Sequence, residues 1–296
     1  MSKKIFLTGA NGFIGKNILD KLHNKYDFYA PTHDQLDLLN SDSVSKFFRK
    51  NGPFDNVLHT AIVGGNRMTG DGEKYAMNSL KMFFNVASND RYFKRFFYFG
   101  SGIEYGREKP IEKTSEVDFG TRVPDSNWGL FKYICAKSAL TNRKFTNLRI
   151  FGAFGKWEDC RIRFISNAIC KNIFKLPIVI NRNIRMDYLY IDDLVTIVDA
   201  FINRRLEFNA YNLTPTNSTD LISIAEIIND HSSNRVPVII KNKGFSPEYT
   251  GDNQRLLAQI PNLKFTKMED AISELIRWYA SNPKIVSKKE LAKEYF

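Results

Sequence analysis

Three glycines at three-residue intervals, in Thr8-Gly9-Ala10-Asn11-Gly12-Phe13-Ile14-Gly15, constrain this chain more than any other feature. They lie between a short apolar run, 4–8, and a stretch, 14–22, in which Ile14, Leu19 and Leu22 share one helical face. A strand that turns through glycine into a helix brings its backbone close to whatever sits at the helix start. Free N–H groups and the helix dipole there favour an anion. Apolar runs then alternate with helical patterns: strands at 28–31, 56–60, 95–100 and 145–151, helices at 43–49, 75–87 and 131–141. Continuous apolar strands separated by helices predict an α/β protein built on a doubly wound parallel sheet covered on both faces. In that setting the turn predicts a dinucleotide site, with Gly9, Asn11, Gly12, Phe13, Ile14 and Gly15 against the pyrophosphate.

Beyond Phe154 the alternation loosens, with helices expected at 163–173, 191–201, 221–230 and 268–280 and strands at 177–180, 187–190, 209–213 and 237–240. No Gly/Ser linker or internal repeat separates the halves. The expected organisation is a dinucleotide-binding Rossmann domain over 1–155 with return segments in 187–215. A smaller mixed α/β substrate lobe takes 156–186 and 216–296. The 43 Lys+Arg against 32 Asp+Glu leave a net charge of +11. No interleaved Arg/aromatic array or zinc spacing accompanies it, so nucleic acid is not the expected partner and a small phosphorylated ligand is. Three cysteines without CxxC spacing predict neither a disulfide framework nor a metal site. No apolar run reaches the ~18 residues of a membrane span, so a cytoplasmic protein is expected.

Tyr133-Ile-Cys-Ala-Lys137 sets a phenol and an ammonium four residues apart on the expected helix, hence on one face. A fixed cation favours phenolate, and such a tyrosine can hand a proton to a carbonyl oxygen as hydride arrives. The same spacing recurs in Tyr105-Gly-Arg-Glu-Lys109, but Gly106 and Pro110 make that segment a turn. Ser101 follows the expected strand 95–100, a hydroxyl at the sheet edge where ligands bind.

The glycine spacing, Ser101 four residues before Tyr105-Gly106, and the Tyr133/Lys137 pair together resemble the extended short-chain dehydrogenase/reductase superfamily. Within it, the chain is similar to nucleotide-sugar epimerases, dehydratases and reductases, including GDP-fucose synthases and 4-keto-6-deoxy sugar nucleotide reductases. The resemblance implies a catalytic set of Ser101, Tyr133 and Lys137. Thr60 and Ala61 would border the cofactor, Asn78 would support the site, and Asp37-Leu38 would lie beside the adenine. It also implies a homodimer. Arg185-Met-Asp187-Tyr-Leu-Tyr-Ile-Asp192-Asp193-Leu194 resembles a sugar-nucleotide signature whose arginine is here displaced by one position. Arg185 and Arg255 are the arginines that would meet the diphosphate, with Gly102 and Ile103 beside the sugar. Leu148 to Gly155 resembles another family segment, with Gly152 where an asparagine is usual. No acid follows the second strand until Asp34, and His33 stands there, so NADP (as NADPH) is the expected cofactor and NAD the alternative.

Family dehydratases carry an Asp-Glu pair where this chain has Gly102 and Ile103, so elimination lacks its acid and base. GDP-fucose synthases carry a cysteine and a histidine for epimerisation where this chain has Ile103 and Trp157. Cys160 is the spare thiol nearest Trp157. The residues that remain suffice for reducing a ketone, or for a C4 epimerisation with bound NAD. The reading from another class is a non-catalytic dinucleotide-sensing or RNA-associated protein of the same fold.

Overall fold

A computed structural model describes residues 2–64, 70–285 and 287–291. The first half runs β1 (Lys4–Thr8), α1 (Phe13–Leu22), β2 (Asp27–Tyr29), α2 (Ser41–Asn51), β3 (Phe54–His59), α3 (Glu73–Ala87), β4 (Phe93–Ser101), β5 (Ile111–Thr114), α4 (Asn127–Thr141) and β6 (Phe145–Ile150). It continues through β7 (Ala153–Phe154), α5 (Phe164–Ile173), β8 (Ile178–Asn183), β9 (Arg185–Met186), β10 (Leu189–Tyr190), α6 (Ile191–Asn203) and β11 (Ala210–Leu213). The remainder is β12 (Thr219–Asp220), α7 (Leu221–His231), β13 (Val238–Phe245), β14 (Tyr249–Gly251), α8 (Gln254–Gln259), α9 (Met268–Ser281) and α10 (Lys288–Leu291).

Period-two alternation sorts the strand side chains onto two faces. Ile5 and Leu7 of β1 and Phe97 and Phe99 of β4 join one apolar cluster with Ile18 of α1 and Leu194 of α6. Phe6, Phe96 and Tyr98 point the other way, into a cluster with Phe48 of α2, Phe83 of α3 and Phe131 of α4. Each fully buried phenylalanine contributes about 1.5–3 kcal/mol, so both faces are committed to burial. The six strands lie in the order β11-β6-β4-β3-β1-β2. Every neighbouring pair is parallel. The expected return strand near 209–213 is β11, on the edge beside β6. The chain leaves β1 to one side for β2 and returns on the other for β3. That reversal opens a crevice at the carboxyl ends of β1 and β3.

A second, four-stranded sheet, β12-β9-β14-β5, recruits β5 from the first half, and β13 pairs with β8. Of the strand expected at 187–190 only 189–190 forms, as β10; β9 lies just before it, and buried Asp187 between them accepts the Gly251 N–H on Oδ2 at 2.8 Å. The helix expected at 131–141 starts earlier because its caps lie upstream: Ser126 Oγ accepts the Gly129 N–H, and Asp71 accepts those of Asn127 and Trp128. The stretch after 282 carries the short α10, and 292–296 fall outside the described residues. Among the described residues no helix is long and apolar enough to cross a membrane.

Candidate active site

The crevice at the sheet's switch point is built by close backbone approach. Gly9 adopts φ +70°, and a Cβ there would lie 2.8 Å from the Ala61 backbone and from Thr60 Oγ1. A Cβ on Gly15 would lie 2.2 Å from the Gly9 carbonyl oxygen, so α1 can seat against the turn only with glycine at that position. Gly12 precedes α1 without a side-chain cap, and the N–H groups of Phe13, Ile14 and Gly15 have no backbone acceptor among the described residues. Three donors at a helix start facing a crevice are suited to a diphosphate. The crevice floor is tied together as well: Thr60 Oγ1 donates to Thr8 O at 2.7 Å, and Thr8 Oγ1 meets His59 Nδ1 at 3.0 Å. His33 and Asp37 are exposed beyond β2, and Leu38 is half-buried, its carbonyl held by Asn85. Asn78 is half-buried on α3.

Burial pushes the His59 imidazole down to about 3, with the nearby Lys132 charge as the second cause. Its folded pKa lies below the unfolded ~6.5, so its contribution to stability is fully present above that pH and is lost as pH falls toward 3. By pH 5 the loss amounts to about 2 kcal/mol. Urea unfolding at pH 7 and pH 5 should show that loss in the wild type and a flatter dependence in His59→Gln. Equal slopes would mean the imidazole takes up its proton in the folded state.

Ser101 ends β4 and caps the single helical turn 102–105: its Oγ accepts the Ile103 N–H at 3.4 Å, while Glu104 Oε1 accepts the Ser101 N–H at 2.8 Å. Glu104 is completely buried. Its other oxygen accepts from Asn147 Nδ2 at 2.7 Å and from Arg149 Nε at 2.6 Å. Arg149, also completely buried, donates to Tyr105 Oη, which donates to Asn212 Oδ1. The Asn212 N–H reaches Glu116, and Glu116 faces Arg255 Nε at 3.7 Å. A buried chain of polar groups thus runs from the backbone of Ser101 to Arg255. Gly100 makes room for it, since a Cβ there would lie 2.1 Å from Asn147 Oδ1. Tyr105, whose spacing to Lys109 imitates that of a catalytic pair, spends its hydroxyl on this chain.

Helix α4 carries lysines on two flanks. Tyr133 is half-buried with its ring 4.9 Å from that of Phe119, and Lys137 is exposed with Nζ 5.9 Å from both ring centres. Among the described residues no hydrogen bond joins Tyr133 to Ser101. The lysine that reaches β4 is Lys132. It is buried, donates to the Phe99 carbonyl at 2.8 Å and lies 4.9 Å from the Tyr98 ring centre. Trp128, one turn ahead of it, donates its indole N–H to Gly70 O at 3.1 Å. Sequence spacing misses Lys132 because α4 is apolar nearly all round, with Trp128, Leu130, Phe131, Ile134, Cys135, Ala136 and Ala139. The signal available was a lone cation among Phe131, Tyr133 and Cys135.

Of the substrate positions, Gly102 is buried beneath Phe151 and Tyr249, and Ile103 is half-buried. Arg185 is exposed on β9. Arg255 lines a cleft of about 420 Å³ with Arg149, Phe119 and Phe208, its guanidinium 4.4 Å from the Phe208 ring centre. Arg185 is not among that cleft's residues. Trp157 packs edge-on against Trp278 and beneath Lys16. Cys160 is buried in the core cluster. Tyr249 and Glu104 are site neighbours that sequence reasoning did not find.

A family model described as the NAD dependent epimerase/dehydratase family matches residues 5–214. Among curated proteins, the GDP-L-colitose synthase of Yersinia pseudotuberculosis is 25% identical over 223 residues, covering 68% of this chain and 72% of its own. Among solved structures, a GDP-L-fucose synthetase from Naegleria fowleri bound to NADP superposes with a TM-score of 0.81 at 17% identity, covering 95% of this chain and 94% of that one. A GDP-mannoheptose C4 reductase from Campylobacter jejuni with NADP bound gives 0.78 at 16% identity, covering 94% and 98%.

Proposed function

Because the chain belongs to the NAD dependent epimerase/dehydratase family, we propose that it is an NADPH-dependent reductase of a 4-keto-6-deoxy nucleoside-diphosphate sugar in deoxysugar biosynthesis. The observation that carries this reading is the alignment of a diphosphate-binding turn, the Thr60–Ala61 crevice wall and the Ser101 hydroxyl along one carboxyl edge of the parallel sheet. The relatives named for GDP-sugar synthesis and reduction support the substrate class, and two of them carry NADP. NADPH supplies the hydride to C4, and the exposed His33 with no acid at β2's end suits a 2′-phosphate. Ser101 holds the carbonyl oxygen, and Arg185 and Arg255 are the candidate diphosphate contacts. Exposed Met77 and Phe84 on α3 and Leu130 and Leu140 on α4 support pairing of two copies, which light-scattering mass would check.

Two assignments of the lysine follow from α4. In the first, Tyr133 donates the proton while Lys137 binds the nicotinamide ribose and tunes it. The second is favoured by Lys132 Nζ, buried against Phe99 O two residues before Ser101. There Lys132 holds the ribose, Trp128, one turn ahead, has no proton to give, and the alkoxide takes its proton from the Ser101 hydroxyl, which regains one from solvent water. Tyr133→Phe and Lys137→Ala should each cost ~10²–10⁴ in kcat under the first assignment. Under the second both stay within a few-fold, and Lys132→Ala carries the loss.

The reaction itself is tested with a panel of 4-keto nucleotide sugars and NADPH, followed at 340 nm and repeated in D₂O. Hydride should reach C4 with no deuterium at C3 or C5. Ile103 and Trp157 cannot exchange a carbon-bound proton near neutral pH, and Cys160 is buried in the core. Deuterium at C3 or C5 would establish an epimerase instead. Turnover of a 4-hydroxy sugar without added NADPH would favour the C4 epimerase with bound NAD.

A further inference from the structure

We propose that Tyr249, supplied by the second sheet, is a positioning residue for Ser101: its phenol fixes the serine hydroxyl so that the serine's own hydrogen points to the substrate oxygen. This inference rests on the reading of Ser101 as the group that holds the carbonyl. Tyr249 Oη lies 3.4 Å from Ser101 Oγ, although the residues are 148 apart in sequence. The contact is long for two hydroxyls, and catalytic hydrogen bonds often tighten only when the reactants are bound.

Three further observations hold the phenol at that place. Its strand, β14, pairs with β5 and β9, which fixes the backbone of Tyr249 opposite Ile111 and Met186. Its ring is clamped between Phe151, 5.2 Å away, and the Arg107 guanidinium, 4.5 Å from its centre. Gly102 is shaped to admit it, because a Cβ there would lie 2.8 Å from Tyr249 Oη and 2.7 Å from the Phe151 ring. The residue after the serine therefore has no side chain where the phenol descends.

The hydrogen bonds then run in one direction. Ser101 Oγ already accepts the Ile103 N–H at 3.4 Å, and when the phenol hydrogen is also given to Oγ the serine's own hydrogen is left for the ligand. Burial pushes the phenol up to about 12, so it keeps its proton through the neutral range and has a hydrogen to give. No proton leaves Tyr249 in this arrangement; its part is to choose one rotamer of the serine.

The test is a double-mutant cycle in NADPH-dependent reduction of whichever panel sugar turns over fastest, with thermal unfolding followed alongside. Tyr249→Phe should lower kcat about tenfold with KM within about twofold. Added to Ser101→Ala it should cost nothing further, since a residue that acts through the serine has no effect once the serine is gone. Gly102→Ala, which displaces the phenol, should reproduce the loss and show the same dependence on Ser101. Wild-type kcat in Tyr249→Phe would overturn the inference. So would a loss that persists in full in the Ser101→Ala background, because that is the mark of a structural residue. If Ser101→Ala itself keeps wild-type kcat, the reading of the serine falls and the inference falls with it.

Discussion

Ser101→Ala is expected to lower kcat for ketone reduction by ~10²–10³ while NADPH affinity changes no more than about twofold. A single preorganised donor aimed at a developing oxyanion contributes on that scale. The serine does this at the end of β4, whose register with β3 and β6 is fixed by parallel pairing along their lengths. Its backbone N–H is already committed to Glu104, so the only group it offers outward is the hydroxyl. Nothing in the diphosphate turn depends on it, which is why cofactor affinity should be spared. Steady-state kinetics with fluorescence titration of NADPH would check both halves. A parallel loss of affinity would mean that Ser101 shapes the crevice rather than the reaction.

The second large effect is on stability. Arg149→Leu should destabilise the protein by about 3–5 kcal/mol, because Glu104 would remain completely buried without its counter-ion. In a chain of this size that corresponds to a fall in Tm on the order of 10 °C. Pairing the change with Glu104→Gln should return part of the loss, since the stranded charge is then removed. The pair is not required for a stable core as such; apolar residues of matching volume commonly do as well. Its placement, between the serine's backbone and the Arg255 face, is what the polar alternative provides. Denaturation of the single and double variants separates these effects, and a single-variant change below ~1 kcal/mol would show that Glu104 finds water or takes up a proton.

The parallel sheet was legible in the sequence because its strands are apolar on both faces and its helices are long enough to show a stripe. The glycine turn was legible for a stronger reason: it needs particular residues, and Gly9 and Gly15 fail sterically with any side chain. The second sheet was not. Its strands β5, β9, β12 and β14 are two to four residues long, too short for a period of two to register. Tyr249 was hidden for that reason, since only the pairing of β14 with β5 brings it to Ser101. Glu104 and Arg149 read in sequence as ordinary charges, and only folding removes both from water. On α4 the difficulty was different. Tyr133/Lys137 and Trp128/Lys132 have the same spacing, and a helix with apolar residues on every side does not announce which flank meets the sheet.

The placement of β11 has a consequence for how the polypeptide is made. It closes the sheet beside β6, yet 59 residues, 151–209, separate the two strands. While the chain is being synthesised, β6 therefore stands for some seconds as a bare edge of unpaired N–H and C=O groups. Asn147 and Arg149 of β6 lie at that edge, bonded to Glu104, and Asn212 of β11 supplies the acceptor for the Tyr105 hydroxyl. A nascent chain released before residue 213 would hold a finished dinucleotide crevice with the Glu104–Arg149 pair formed but the Tyr105 hydroxyl without its acceptor, beside an open strand. That is the form on which chaperones should act, and the window between 151 and 213 is where slowed translation would do most harm.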